Sequence, residues 1–368
     1  MNIVTAYSTE SSPEKAVDQI QSQLAGNNPK AVIFFASSQY NPEAICQGMQ
    51  KAFPQAQTFG CSTSGEIVSG KMLKNSVVAM GLNAEVLGDF NLQIVEKIQS
   101  QNRVQEAFAG FEKHFKTDPF TMGVDEYVGL ILVDGLRLAE EKLMDRIGEL
   151  CNIFFVGGSA GDDLKFAQTW VYANGKAYTD AALLAILKPK VKFSFIKTQS
   201  FKPCDAKLLA TKVKMSERKV IEFNYKPAAI AYAEAIGTPT SEVAQHFMSN
   251  PIGLVIDDEP YVRSPQRVDD DSMHFYCNVM EGMEMSLLES SDIVKDTQEA
   301  VQQKKAQLKN ISGIINFHCI LRTLELEKKG MTEAYGKIFS DIPTIGFSTY
   351  GEEFIGHINQ TSTMLVFE

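Results

Sequence analysis

The chain has 368 residues, of which 44% are hydrophobic and 22% charged, with a formal net charge of −10. A chain of that length suits about two domains with cores of their own, and its ordinary composition excludes disorder, collagen-like repeats and coiled coil as the main architecture. The acidic balance disfavours a nucleic-acid partner, because phosphates are neutralised by Lys and Arg.

The first residues, MNIVTAYSTESSPEK, lack the basic start and apolar core of a secretory signal. The longest smooth apolar run, 181–187, stops at Lys188-Pro189 and is too short to span a bilayer. These features give the expectation of a cytoplasmic protein without a membrane contact. Cys46, Cys61, Cys151, Cys204, Cys277 and Cys319 form no C-x-x-C pair, which excludes the common zinc spacings and the covalent haem signature. In that compartment they are thiols.

Taken in order, the chain reads as three copies of one unit. An apolar run, AVIFFASS from Ala31, precedes a helical stretch at 42–53 and the motif Gly60-Cys61-Ser62-Thr63-Ser64-Gly65-Glu66. The second copy begins with YVGLILVDG from Tyr127, continues through a helical stretch at 136–150 and ends in the looser Gly157-Gly158-Ser159-Ala160-Gly161-Asp162. Between residues 188 and 219 the chain turns strand-like and basic, which reads as an exposed sheet face. A boundary is expected near residue 220, followed by a helix opened by Pro227 and closed by Gly237, short strands, and a polar helix over 290–310. The third copy starts with SGIINFHC from Ser312, carries a helical stretch at 324–339 and ends in Gly346-Phe347-Ser348-Thr349-Tyr350-Gly351-Glu352.

The first and third motifs agree at every position of G-x-S-T-x-G-E. About 28 residues separate Val32 from Gly60, about 29 separate Val128 from Gly157 and about 33 separate Gly313 from Gly346, lengths that suit strand-helix-strand crossovers. A further strand follows each motif, so the sheets are expected to be mixed. The fold expected is α/β, two domains of duplicated strand-helix-strand units with mixed sheets, divided as 1–220 and 221–368.

Two constellations could carry chemistry. The glycine loops could direct Glu66, Asp162 and Glu352, with the hydroxyls of Ser62, Thr63, Ser348 and Thr349, around one pocket for an amino-acid-like ligand; the plainer alternative is a turn repeated by duplication. The sharper signal is INFHCILR, which places His318, Cys319 and Arg322 within five residues where a strand gives way to a helix. A cysteine phosphatase cradle is excluded, since only Ile320 and Leu321 separate Cys319 from the arginine. A satisfied core imidazole is the plain alternative for His318. His114 and His246 read as surface or packing residues, His274 as a strand-edge residue, and His357, five residues behind the third motif, could approach the same pocket as Glu352. No G-x-S-x-G, H-E-x-x-H, Walker or dinucleotide motif is present, so a hydrolase is a distant third reading.

FGCSTSGEI, VGGSAGDD, NPIGLVIDDEPYVRSP, VMEGMEMSLLE and GFSTYGEEFIGHINQTSTML together resemble the FIST family, with an N-terminal and a C-terminal FIST domain. The resemblance implies a ligand-sensing module without an established enzymatic activity, often fused to an output domain, and the expectation is that the chain is not an enzyme. Because the chain stops soon after its last motif, a free-standing sensor is expected, acting in trans on a histidine kinase or a second-messenger enzyme. The imidazole at His318 departs from the family's small residue and is similar to a subgroup that binds haem and senses nitric oxide. That implies a non-covalent b-type haem with His318 on the iron, Arg322 on a propionate, and Cys319 or His357 as substitute ligands.

Overall fold

A computed structural model describes residues 2–101 and 103–368. It is a mixed α/β structure that divides into two compact units. The first comprises Met1–Thr198, Thr297–His357 and Ser362–Glu368; the second comprises Gln199–Asp296 and Ile358–Thr361. Residue 220, the expected boundary, lies inside the strand Lys219–Phe223. The third repeat folds into the same unit as the other two, with the second unit inserted in the chain between its strand Phe193–Gln199 and its helix Ile293–Gln307.

Each repeat builds one sheet of the first unit from four of its own strands. In the first sheet these are Ile3–Ser8, Val77–Leu82, Ala31–Ser37 and Gln57–Thr63, in that order. Ala31–Ser37 and Gln57–Thr63 are parallel and the others pair antiparallel, which accounts for the mixed sheet. The intervening helix, Pro42–Ala52, opens with proline after Asn41, whose side chain accepts from Ala44 N at 2.9 Å. The second sheet repeats the pattern with Phe155–Ser159, Val128–Val133, Ala181–Pro189 and Leu87–Glu96, and the third with Phe193–Gln199, Thr361–Phe367, Gly313–Cys319 and Thr344–Thr349.

The remaining two strands of each sheet come from another repeat. The hairpin after the first glycine motif, Glu66–Val68 with Lys71–Leu73, pairs beside Thr344–Thr349 of the third repeat. The second repeat's hairpin, Val171–Ala173 with Lys176–Tyr178, pairs beside Gln57–Thr63 of the first. The third repeat's Glu352–Phe354 pairs beside Phe155–Ser159 of the second, with Gly356–Ile358 outside it.

The strands alternate faces, so each sheet sends one apolar row inward. Ile33, Phe35 and Phe59 of the first sheet meet Leu130, Leu132 and Val156 of the second and Ile315, Phe317 and Phe347 of the third in one buried cluster. Phe35 and Phe347 lie 4.5 Å apart between ring centroids. The outer faces of the first two sheets pack on helices through two further apolar clusters.

The second unit is an antiparallel sheet with Phe201–Lys214 and Glu284–Ser290 near its centre and the helix Ala228–Ile236 packed through Tyr232 against Phe247. The predicted proline start and glycine stop of that helix are observed, with Gly237 in the left-handed region at φ 70°. No helix among the described residues is long and apolar enough to cross a membrane.

Candidate functional site

The register pairs each motif's first glycine with a residue of the neighbouring parallel strand: Gly60 with Phe34, Gly157 with Ile131, Gly346 with Asn316. At each, the space a Cβ would occupy is taken by the partner's carbonyl oxygen, 1.6, 1.7 and 2.3 Å away respectively. The repeated glycine is therefore a demand of close strand approach.

The three motif loops are tied to one another. Ser348 N donates to Gly65 O at 2.8 Å, Ser159 N to Gly351 O at 2.9 Å and Gly161 N to Ser62 O at 3.0 Å, which links third to first, second to third and second to first. Their side chains are engaged in the same way. Ser62 Oγ donates to Gly161 O at 2.9 Å and accepts from Trp170 N. Thr63 donates to Glu66, whose other oxygen accepts from Ser76 Oγ at 2.6 Å and Ser76 N at 3.1 Å. Thr349 Oγ1 donates to Glu352 Oε1, and Ser348 shares a hydrogen bond with Thr323. The Asp162 carboxylate accepts from Phe166 N, Ala167 N, Gln168 N and the Tyr350 hydroxyl. All seven residues are buried. The structure thus brings the loops together, and their polar groups bind one another.

Burial lifts the Glu66 carboxyl to about 8, against the donors Ser76 and Thr63, which favour its charged form. A raised carboxyl stabilises the fold below its unfolded value and loses that contribution as pH rises through about 8. Stability is therefore expected to fall by a few kcal/mol, on the order of one per pH unit, between roughly pH 5 and 8. Glu66→Gln is expected to flatten that slope while keeping the fold, measured by urea denaturation across the range.

The third repeat differs from the others at one place. The register makes Asn316 and His318 the counterparts of Phe34 and Ala36 in the first repeat and of Ile131 and Val133 in the second. Two repeats thus carry apolar side chains under their helices where the third carries an amide and an imidazole. His318 is 0% exposed, one residue before the end of Gly313–Cys319, and the helix Ile320–Lys328 starts two residues later. Its Nδ1 lies 3.0 Å from the Tyr335 hydroxyl, on the helix Thr332–Lys337. Nε2 is buried with no hydrogen-bond partner among the described residues. Burial, then the nearby Arg322 charge, holds the imidazole well below its usual value, so it is neutral. Arg322 is buried beside the site, and its Nη2 donates to Thr297 Oγ1 at 3.0 Å and Thr198 Oγ1 at 3.4 Å. Cys319 is buried as well.

His357 lies elsewhere. Its Nδ1 is 3.1 Å from Glu353 Oε1, not on Glu352, and both side chains are almost wholly buried. Ser159 Oγ, 3.3 Å from Glu353 Oε1 and 3.4 Å from Glu140 Oε1, joins this group. Burial, the largest single influence, pushes the His357 imidazole down; the Glu353 carboxylate, aided by Glu140 and Glu141, reverses this and raises it to about 10. The Gly351 backbone lies against this ring, since a Cβ there would stand 2.1 Å from His357 Cε1.

A haem iron asks for a neutral imidazole with one nitrogen bare and the other held. His318 fits that demand, and His357, protonated and paired, does not. Among the described residues no group of three or more His, Cys, Asp or Glu could hold a metal ion by itself. Sequence reasoning missed Tyr335, Asn316, Ser362 and Glu353. Asn316 alone carried a signal, two residues before His318 on the same strand face.

The sheet architecture defines a mixed α/β protein with a buried polar cluster around His318. The FIST N domain family matches residues 30–226 and the FIST C domain family residues 228–354. The chain belongs to the FIST family, whose domains are sensory modules of signal transduction. A relative, the uncharacterized protein MJ1623 of Methanocaldococcus jannaschii, is 24% identical over 284 residues. The match covers 72% of this chain and 54% of that protein, so the chain spans about half the length of its relative.

Proposed function

We propose that this chain senses a ligand at His318, that the ligand is haem with nitric oxide as the sensed gas, and that a histidine kinase or second-messenger enzyme is regulated in trans. The observation that supports this is the third repeat's exchange of apolar residues for Asn316 and His318, with a buried Nε2 left without a partner. Bound haem would supply the iron that captures the gas. The chain's part is to hold the imidazole: Tyr335 fixes its far nitrogen, and the strand end that carries it leads directly into Ile320–Lys328. A change of tension at His318 is passed to that helix by chain connectivity, which joins two definable sites as coupling requires.

The amino-acid reading rests on the glycine loops, whose carboxylates and hydroxyls already bond to one another. The two are separated by producing the protein with a haem supply. A Soret band that changes in His318→Ala and persists in His357→Ala is the expected result. No band in the wild type overturns the haem reading, and a thermal-shift response to a panel of amino acids then favours the other ligand.

A further inference from the structure

The direction of every proton around His318 can be worked out from four contacts, which deepens the reading of this residue as the ligand-facing group. Ser362 Oγ lies 2.7 Å from Asn316 Oδ1, Asn316 Nδ2 lies 3.2 Å from the Tyr335 hydroxyl, and that hydroxyl lies 3.2 Å from Ser362 Oγ and 3.0 Å from His318 Nδ1. An amide oxygen only accepts, so the Ser362 proton goes to Asn316. An amide nitrogen only donates, so Tyr335 accepts from Asn316.

The tyrosine proton then has two destinations. Pointed at His318 Nδ1, it leaves the Tyr335 and Ser362 oxygens facing each other at 3.2 Å with no proton between them. Pointed at Ser362, it closes a ring from Asn316 to Tyr335 to Ser362 and back, in which each bond polarises the next. The second lone pair of Tyr335 then accepts from His318 Nδ1. Only this arrangement puts a proton in all four contacts.

We infer that Asn316, Tyr335 and Ser362 are positioning residues that fix His318 as the Nδ1–H tautomer, so that Nε2 presents a bare lone pair to the ligand. The class of ligand follows. The site takes an electron-pair acceptor at Nε2, whether a metal centre or a donor hydrogen, and refuses a carboxylate or phosphate oxygen there. The same ring explains why a polar triad is kept beneath this helix, since its three members satisfy one another.

The test uses the full chain labelled with ¹⁵N-histidine and free of haem or any other ligand. Two-bond ¹H–¹⁵N correlations at neutral pH report which imidazole nitrogen is protonated, and His318→Gln identifies the His318 signals. The expected result is a protonated Nδ1 and a bare Nε2. Ser362→Ala removes the acceptor of the tyrosine proton, which turns to Nδ1 and transfers the histidine proton to Nε2, so the two signals exchange character. Tyr335→Phe removes the acceptor for Nδ1–H and is expected to average them. A protonated Nε2 in the wild type overturns the inference, as does a wild-type pattern in a folded Ser362→Ala or Tyr335→Phe variant. Because no ligand is present, a missing Soret band in the separate haem experiment cannot be confused with this failure.

Discussion

Replacing Gly60 or Gly157 by alanine is expected to leave little folded protein at room temperature. In each, the added methyl would sit 1.6 or 1.7 Å from the carbonyl oxygen of Phe34 or Ile131. Those oxygens belong to the central parallel strands Ala31–Ser37 and Val128–Val133, buried along their whole lengths, and neither has a flexible end to move aside. Overpacking of a side chain typically costs 1–3 kcal/mol; here the strands themselves must separate, and a loss of more than about 4 kcal/mol is expected. Gly346→Ala, with its nearest oxygen at 2.3 Å, is expected to be the mildest of the three. Urea midpoints of the three variants give the order, and a midpoint for Gly60→Ala near the wild type would refute this account of the motif.

The second large effect is expected at the buried ion pair. Glu353→Ala leaves the His357 imidazole enclosed without its carboxylate, and removing one partner of a buried pair costs roughly 3–5 kcal/mol. The pH dependence has a definite sign. A histidine raised from about 6.5 to about 10 stabilises the fold fully below 6.5 and loses that contribution as pH rises through 10. Wild-type stability is therefore expected to decline from neutral pH toward pH 10, and the variant to lack that part of the slope. The comparison is made by denaturation at several pH values. Parallel curves for the two proteins would show that the pair contributes nothing of this kind.

The repeats were legible because their strands alternate or run apolar and their glycines recur at matching distances, both local properties. Helix limits were less so, for reasons visible in single residues. The stretch expected as one helix over 324–339 is two, Ile320–Lys328 and Thr332–Lys337, because Gly330 turns into the left-handed region at φ 66°. The helix expected from 136 begins at Glu140, after Leu138 at φ 53°. The basic stretch over 188–219 reads correctly as strand, in Phe193–Gln199 and Phe201–Lys214.

Pairings between repeats were not legible, since nothing in a three-residue strand such as Glu66–Val68 names a partner nearly three hundred residues away. The same limit applies to the site. His318 stood out by its type and neighbours, but the hydroxyl that holds it, Tyr335, reaches it only through tertiary packing. His357 was placed near Glu352 by spacing, and the alternation of the strand Glu352–Phe354 gives it Glu353 instead.

The hairpin exchange has one more consequence. The first repeat gives its hairpin to the third, the third to the second and the second to the first. Donors and acceptors therefore form a closed cycle, and any repeat taken alone has one sheet edge bare and one hairpin without a berth. No third of this unit is an autonomous folding piece, so its three sheets must be gained or lost together. The strand Gly313–Cys319, which carries Asn316 and His318, takes no hairpin itself, since the first repeat's hairpin pairs with the neighbouring Thr344–Thr349. One copy could thus trade Phe and Ala for Asn316 and His318 without disturbing the joints that hold the other two, and division of labour among duplicated parts is built into the way they are fastened.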